Sequence, residues 1–430
     1  MQTAAAQETM QPSEHQKVVE GLASSLKDNY VFPEVAQKMS TFLKKRLKEG
    51  AYNELSNPVT FATQLTKDIQ AISNDLHLRV NFNPEAAMHM NREEDEEGPS
   101  GPSPEYLKQA ARSNHGFKEV KIMDGNVGYL DLRGFHNPAL AGETAAAAMN
   151  MLSNAEVIIF DLRQNGGGDP AMIQLLTSYL YPVHQSVHLN TFYFRPTDEH
   201  SQTWTLPYVP GKRNPEAEVF VLTSPYTFSA AEEFTYNLKN LERATIVGET
   251  TGGGAHPGGN RPISERFVAF VPTGRAINPI TNTNWEGTGV SPHVEVDHEK
   301  ALDKAYQLAM EKQLEKAETQ GDKAFYGWYA SLLRAKNEPV NVEEDLLKAY
   351  AGNYGERNLY YKDGILTYQR NGRPEMELIA IDDKTFNLAS SPDFRIELDY
   401  KDGKAAGLIM RSVNGYEEYN ERKSEAGTRP

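Results

Sequence analysis

The sequence predicts an α/β core flanked by an N-terminal helical bundle and a C-terminal small antiparallel β-barrel. Three observations carry that expectation. Residues 13–77 place apolar side chains at helical spacing behind three separate start signals. From Phe117 onward, short wholly apolar runs alternate with helical stretches, the pattern of strands buried on both faces. Residues 347–420 scatter aromatic and aliphatic residues among closely spaced turn signals, which reads as short antiparallel strands. With 430 residues, 39% hydrophobic and 24% charged, the chain falls among ordinary globular proteins and outside collagen-like or wholly disordered classes.

Taken in order, residues 1–12 read as a disordered tail and 13–83 as the bundle. Ser13-Glu-His-Gln16 after Pro12 has the form of a capping box, followed by Val18, Val19, Leu22 and Leu26 on one stripe. The second helix starts after Pro33, carries Val35, Met39, Phe42, Leu43 and Leu47, and stops at Gly50. The third has Asn57 as cap and Pro58 in its first turn, with Phe61, Leu65, Ile69 and Ile72 inward. Residues 84–115 contain Glu93-Glu-Asp-Glu-Glu97 followed by Pro, Gly and Ser, a composition that forms no core, and are assigned to a mobile linker or lid.

The α/β segment is assigned to 116–310. Phe117–Met123 and Val127–Leu132 flank the hairpin signal Asp124-Gly125-Asn126. An Ala-rich helix is expected near 141–152, buried strands at Val157–Phe160, Val219–Leu222 and Thr245–Val247, and helices near 170–181 and 229–240. Residues 311–346 read as a helical linker and 347–425 as the barrel-like accessory domain, with turns at Lys362-Asp-Gly364, Asn371-Gly372 and Lys401-Asp-Gly403.

Charge and composition exclude several functions. Forty-four basic against 59 acidic residues give a net charge of −15, which repels phosphate backbones and anionic lipid. No nucleic-acid partner is expected. Zero cysteines remove disulfides, thiolate nucleophiles and thiolate metal sites. No run approaches the ~18 apolar residues of a membrane span. Met1–Gln7 lacks the basic and apolar regions of a signal peptide and reads as the trimmed remnant of one, so an extracytoplasmic location, periplasmic or secreted, is expected.

Two Gly-rich loops follow buried strands directly: Asp161-Leu-Arg-Gln-Asn165-Gly-Gly-Gly168 and Gly248-Glu-Thr-Thr-Gly252-Gly-Gly254-Ala-His256. Such loops bring backbone amides close to a ligand. Neither continues into Gly-Lys-Ser/Thr, so neither is a phosphate-binding P-loop. Between them, Thr223-Ser-Pro-Tyr-Thr-Phe-Ser229 leads into a helix, which sets a hydroxyl beside free amides and a positive dipole end. Taken alone, Ser229 followed by Glu232 is equally a plain capping box.

The ordered series Asp161-Leu-Arg-x-Asn-Gly-Gly-Gly168, Thr223-Ser-x-x-Thr-Phe-Ser229-Ala-Ala-Glu232, Gly248-Glu-Thr-Thr-Gly-Gly-Gly254 and Glu286-Gly-Thr-Gly-Val-x-Pro292 resembles the S41 serine peptidases. The resemblance extends to Asp28-Asn-Tyr-Val-Phe-Pro33, Asp75-Leu-His-Leu-Arg-Val80 and Gly125-Asn-Val-Gly-Tyr-Leu130, and covers residues 13–310. It implies a ClpP/crotonase-like α/β core. The match is to the branch containing tricorn protease and interphotoreceptor retinoid-binding protein, because the lysine of the Ser–Lys branch has Gly254 in its place.

By that resemblance Ser229 is the expected nucleophile, His77 the general base and acid, and Glu286 an orienting carboxylate, with backbone amides of Gly167 and Ala230 as oxyanion donors. His256 is a rival base. Tricorn has Ser immediately before its histidine where this chain has Leu76, so the resemblance does not carry an extra relay serine onto this chain. No cofactor or metal is expected: His184 and His188 have helical metal spacing but follow a proline and lack an acidic third ligand. The expected partner is a peptide or protein substrate. Two alternatives stand beside hydrolysis: a retinoid or fatty-acid carrier taking an apolar small ligand, and an inactive interaction protein on the same fold.

Overall fold

The computed structural model describes residues 9–93, 101–401 and 404–423. The chain divides into two compact units, one of residues 1–121 and 128–298, the other of 122–127 and 299–430.

In the first unit the helices Pro12–Asn29, Pro33–Lys48 and Pro58–Ser73 each carry proline in the first turn, where its fixed φ suits the helix and its missing N–H is not needed. Gln11, not Ser13, caps the first of them, because Pro12 already occupies its first position and places Ser13 inside the helix. Asn57 caps the third as expected, its side chain accepting the Thr60 N–H at 3.0 Å. The buried stripe Val18, Leu22, Leu26, Met39, Leu43, Phe61, Leu65 and Ile69 shares one apolar cluster with Val80, Phe267, Ala269 and Val271. Helices and α/β segment are therefore packed into one unit. Where composition predicts a linker, residues Pro84–Glu93 and Pro104–Arg112 are helical, with Ala87 and Ala110 buried; most of the acidic run lies at 94–100, outside the described residues.

The central six-stranded sheet runs Val294–Glu295, Thr245–Gly248, Glu218–Thr223, Val157–Asp161, Val127–Leu132, Phe117–Met123 in spatial order. The first four are parallel, in register as Val294 to Val247, Leu222 to Val247 and Ile159 to Phe220. All five residues of Val157–Asp161 are buried. That two-sided burial explains the unbroken apolar run in the sequence. Helices Pro138–Met151, Pro170–Ser178 and Ala230–Asn240 supply Ala145, Met149, Met172, Leu176, Phe234 and Leu238 to the same core. A smaller antiparallel sheet sets Phe267–Pro272 between Arg79–Phe82 and Gly258–Pro262.

In the second unit the helices Ala301–Lys316, Gln320–Asn337 and Glu344–Tyr350 precede eight antiparallel strands that pair strictly in chain order from Gly352–Tyr354 to Glu417–Glu421. The Lys423 N–H donates to Asn353 O at 2.8 Å, nearly closing the barrel. Tyr354, Leu366, Tyr368, Phe386, Ile396, Leu398 and Leu408 fill it. No helix among the described residues is long and apolar enough to cross a membrane.

Candidate active site

Three loops at the carboxyl ends of the parallel strands build the site, the position where open α/β sheets leave room for ligands. After Val157–Asp161, Arg163 grips Asp161 through Nε–Oδ1 at 2.9 Å and Nη2–Oδ2 at 2.6 Å, while the Tyr129 hydroxyl donates to Oδ2 at 2.7 Å. The loop after Glu218–Thr223 is sewn onto it: the Thr227 hydroxyl donates to Leu162 O at 2.8 Å and the Phe228 N–H to Asn165 O at 3.1 Å. The third loop joins through Gly252 N–H to Thr227 O at 3.0 Å.

Ser229 stands at φ 57°, ψ −120°, at the N-terminus of the helix Ala230–Asn240. A residue with a side chain held there stores on the order of 1–3 kcal/mol, which only an over-determined surrounding sustains. Glu232 supplies that surrounding. Its fully buried carboxyl accepts the Ser229 N–H at 2.9 Å and the Gly254 N–H at 2.8 Å on Oε2, and the Gly253 N–H at 2.7 Å and the Thr251 hydroxyl at 2.5 Å on Oε1. Burial pushes its pKa up, and those donors pull against the rise.

Gly167 has φ +106°, and a Cβ there would come 2.8 Å from Ser229 Cβ and 2.9 Å from Phe228 O. Only glycine lets the loop approach so near. The Gly167 N–H, expected to face an oxyanion, donates to Asn165 Oδ1 at 2.9 Å in this structure. The loop residues that line the cavity are Gly166 and Gly168, opposite Ala230.

His77 follows the helix Pro58–Ser73, which ends at Asn74 in the left-handed region at φ 55°. The His77 N–H donates to Asp75 Oδ1 at 3.0 Å, a local turn that fixes the ring's direction. The imidazole lies against Phe228 and Phe270 at ring separations of 4.6 and 5.8 Å. Its side chain is 10% exposed, and its Nδ1 sits 4.0 Å from Asp75 Oδ1 without a hydrogen-bond partner. Burial lowers its pKa to about 4; Asp75 opposes the shift while His256 and Arg79 add to it. His77 is therefore neutral at pH 7, the state a general base requires.

His256 Nδ1 lies 2.8 Å from Asp75 Oδ2 and 3.3 Å from Glu286 Oε2. Glu286 Oε2 also accepts the Ala255 N–H at 2.6 Å, and Oε1 is buried without a partner. Burial first, and Asp75 next, push the Glu286 pKa up. The Tyr30 hydroxyl donates to Asp75 Oδ2 at 3.1 Å, and burial keeps that phenol protonated.

One cavity of about 550 Å³ gathers Ser229, Ala230, His77 and His256; Glu286 is not on its wall and stands behind His256. Of the expected residues, Glu286 thus touches the rival base directly. A Cβ on Gly254 would fall 2.6 Å from His77 Cε1 and 2.2 Å from Phe228 Cζ. The imidazole and the phenyl ring fill the space into which a dyad lysine would extend.

Sequence reasoning passed over Asp75, Tyr30 and Phe32 and read Glu232 only as a helix cap. Their signal was present in the quoted motifs: Tyr30 and Phe32 lie within Asp28–Pro33, Phe32 meeting the His256 ring edge-on at 5.3 Å, and Asp75 opens the segment that holds His77. Asp75, His77 and Glu286 also present ligand-type atoms within 4.8 Å of one another, a spacing a metal ion could bridge. His188, by contrast, begins a strand and stacks on Trp204 at 4.4 Å.

Residues 126–296 match the family model described as Peptidase family S41, and residues 5–115 match the N-terminal domain of Peptidase_S41 in eukaryotic IRBP. The photosystem II D1 C-terminal processing protease is similar in structure at 16% identity and a TM-score of 0.42, over 67% of this chain and 94% of that one. A candidate peptidase from Parabacteroides merdae gives 17% identity and 0.48 over 71% and 99%. Tricorn protease gives 14% and 0.41 over 75% and 37%.

Proposed function

The chain belongs to peptidase family S41, and from that premise we propose that it hydrolyses peptide bonds through a Ser229 acyl-enzyme with His77 as general base. The observation that carries this reading is His77 itself: a buried, neutral imidazole occupying the space beside Gly254, in the same cavity as a strained serine at a helix N-terminus.

In the acylation step Ser229 Oγ attacks the scissile carbonyl and passes its proton to His77 Nε2, while Nδ1 faces Asp75. The Ala230 N–H, with an amide from Gly166 or Gly168, receives the developing oxyanion at the positive end of the helix Ala230–Asn240. His77 then returns the proton to the leaving amine, and the second half-reaction repeats the exchange with water. Asp75 couples the two imidazoles, and Glu286 acts on His77 through His256 and Asp75 rather than by contact. No step calls for a metal ion.

A fluorophosphonate probe reports on Ser229 without assuming a substrate. Labelling is expected in the parent protein and absent in Ser229→Ala. His77→Ala should slow it by about 10²–10⁴-fold. Loss on His256→Ala with His77→Ala unaffected would move the base to His256, and labelling that survives Ser229→Ala would end the proposal.

A further inference from the structure

Glu233 sits on the wall of the same cavity and has no part in the proton relay. Its backbone N–H donates to Ser229 O at 2.9 Å, so it lies one helical turn beyond the nucleophile and on the same helix face. The residue is 3% exposed. The cavity wall mixes apolar Phe192, Trp285 and Pro170 with polar or charged Arg79, Asn81 and Asn260. Asn190 Nδ2 donates to the Glu233 Oε1 at 3.2 Å, and the Asn237 amide, whose Nδ2 is buried without a hydrogen-bond partner, lies nearby. Among the described residues no lysine, arginine or histidine pairs with it.

A buried carboxyl held only by amides is a costly choice for packing, since a glutamine or methionine would fill the volume without the desolvation penalty. Burial accordingly pushes its pKa to about 7. The group is positioned to gain a counter-charge from outside the chain. Four helical residues rise about 6 Å, close to the reach of an extended lysine or arginine side chain from its own Cα.

We propose that Glu233 forms the floor of a substrate side-chain pocket that selects a lysine or arginine at the residue whose carbonyl Ser229 attacks. The entering ammonium or guanidinium ionises Glu233 and gains a charge-assisted hydrogen bond away from bulk water, where such a pair is strong and selective. The inference rests on the peptidase reading for the direction in which the peptide lies, but binding of the cationic side chain does not require turnover.

The test therefore has two arms. In the first, Ser229→Ala protein is titrated with matched peptides carrying lysine, arginine, norleucine or glutamine at that residue. Lysine and arginine peptides should bind at least ~10-fold tighter than the norleucine peptide, and the Ser229→Ala/Glu233→Gln protein should lose that ratio. Equal affinities, or a preference for glutamine, would overturn the inference whether or not the protein is a peptidase. In the second, kcat/KM ratios are read on the same series with the active protein. The lysine-to-norleucine ratio should collapse in Glu233→Gln and fall below one in Glu233→Lys. A thermal melt and probe labelling of Ser229 report whether each variant is folded. Ser229 that labels while the ratio stays put would overturn the pocket and leave the peptidase reading intact; cleavage surviving Ser229→Ala would do the reverse.

Discussion

Ser229 and Gly254 illustrate how single residues commit this site to one chemistry. The tight approach of His77 and Phe228 to Gly254 leaves no room for even a methyl group. Gly254→Ala should therefore displace the imidazole and lower the rate of serine-probe labelling by at least ~10²-fold, and Gly254→Lys should fail to create a working Ser–Lys pair. Full labelling in either variant would show that His77 is not needed where it lies. The pH dependence follows from burial. A solvent-exposed histidine would bring activity up near pH 6–7, whereas burial holds His77 at about 4. The acid limb of kcat/KM should accordingly have its midpoint near pH 4. Asp75 raises the His77 pKa, so Asp75→Asn should shift that midpoint further toward acid, and a shift toward neutral pH would contradict the assignment.

At the scale of elements, Glu232 shows what local reading of a sequence delivers and where it stops. The Ser-x-x-Glu pattern correctly marks the start of a helix at Ala230, since a capping box depends only on residues three apart. The same carboxyl spans to Thr251, Gly253 and Gly254, and those contacts depend on strand order in the sheet. Glu232→Gln would set an amide NH₂ against a ring of donors. The variant should lose roughly 2–5 kcal/mol of stability in urea denaturation and label slowly at Ser229. A loss under 1 kcal/mol with parental labelling would make Glu232 a simple cap. The strands at 157–161, 218–223 and 245–248 were legible for a comparable reason: burial on both faces imposes an apolar run whatever the partners. The barrel's turns were legible because Asp363-Gly364 must take positive φ, at 52° and 86°. The direction of the Gly167 amide is not legible in its loop, since it depends on Asn165, whose side chain is pinned by Leu132 O. Helices at 84–93 and 104–112 were hidden behind the charge run that adjoins them.

At the scale of the whole molecule, two buried groups oppose each other in pH. Glu233 has its pKa raised from 4.5 to about 7 in the folded state, so its contribution is complete below about 4.5 and is lost as pH rises through 7. His77 has its pKa lowered from 6.5 to about 4, so its contribution is complete above 6.5 and is lost as pH falls through 4. Each shift corresponds to roughly 3 kcal/mol between the ends of its window. The windows overlap and the signs are opposite, so the two contributions nearly cancel between pH 4.5 and 6.5. Glu286, raised from 4.5 to about 7 as well, adds a second acid-favouring contribution, so unfolding free energy of the parent protein should fall by roughly 3 kcal/mol as pH rises from 4.5 to 7. Removing either side exposes the other. Urea denaturation of His77→Ala should show stability falling as pH rises from 4.5 to 7, because Glu233 then acts unopposed. Glu233→Gln/Glu286→Gln should show the reverse, stability rising from pH 4 to 6.5 as His77 sheds its proton with neither raised carboxyl left to oppose it. Slopes of the same sign in the two variants would mean that burial in the cavity does not set these protonation states, and the neutral-base reading of His77 would fall with it.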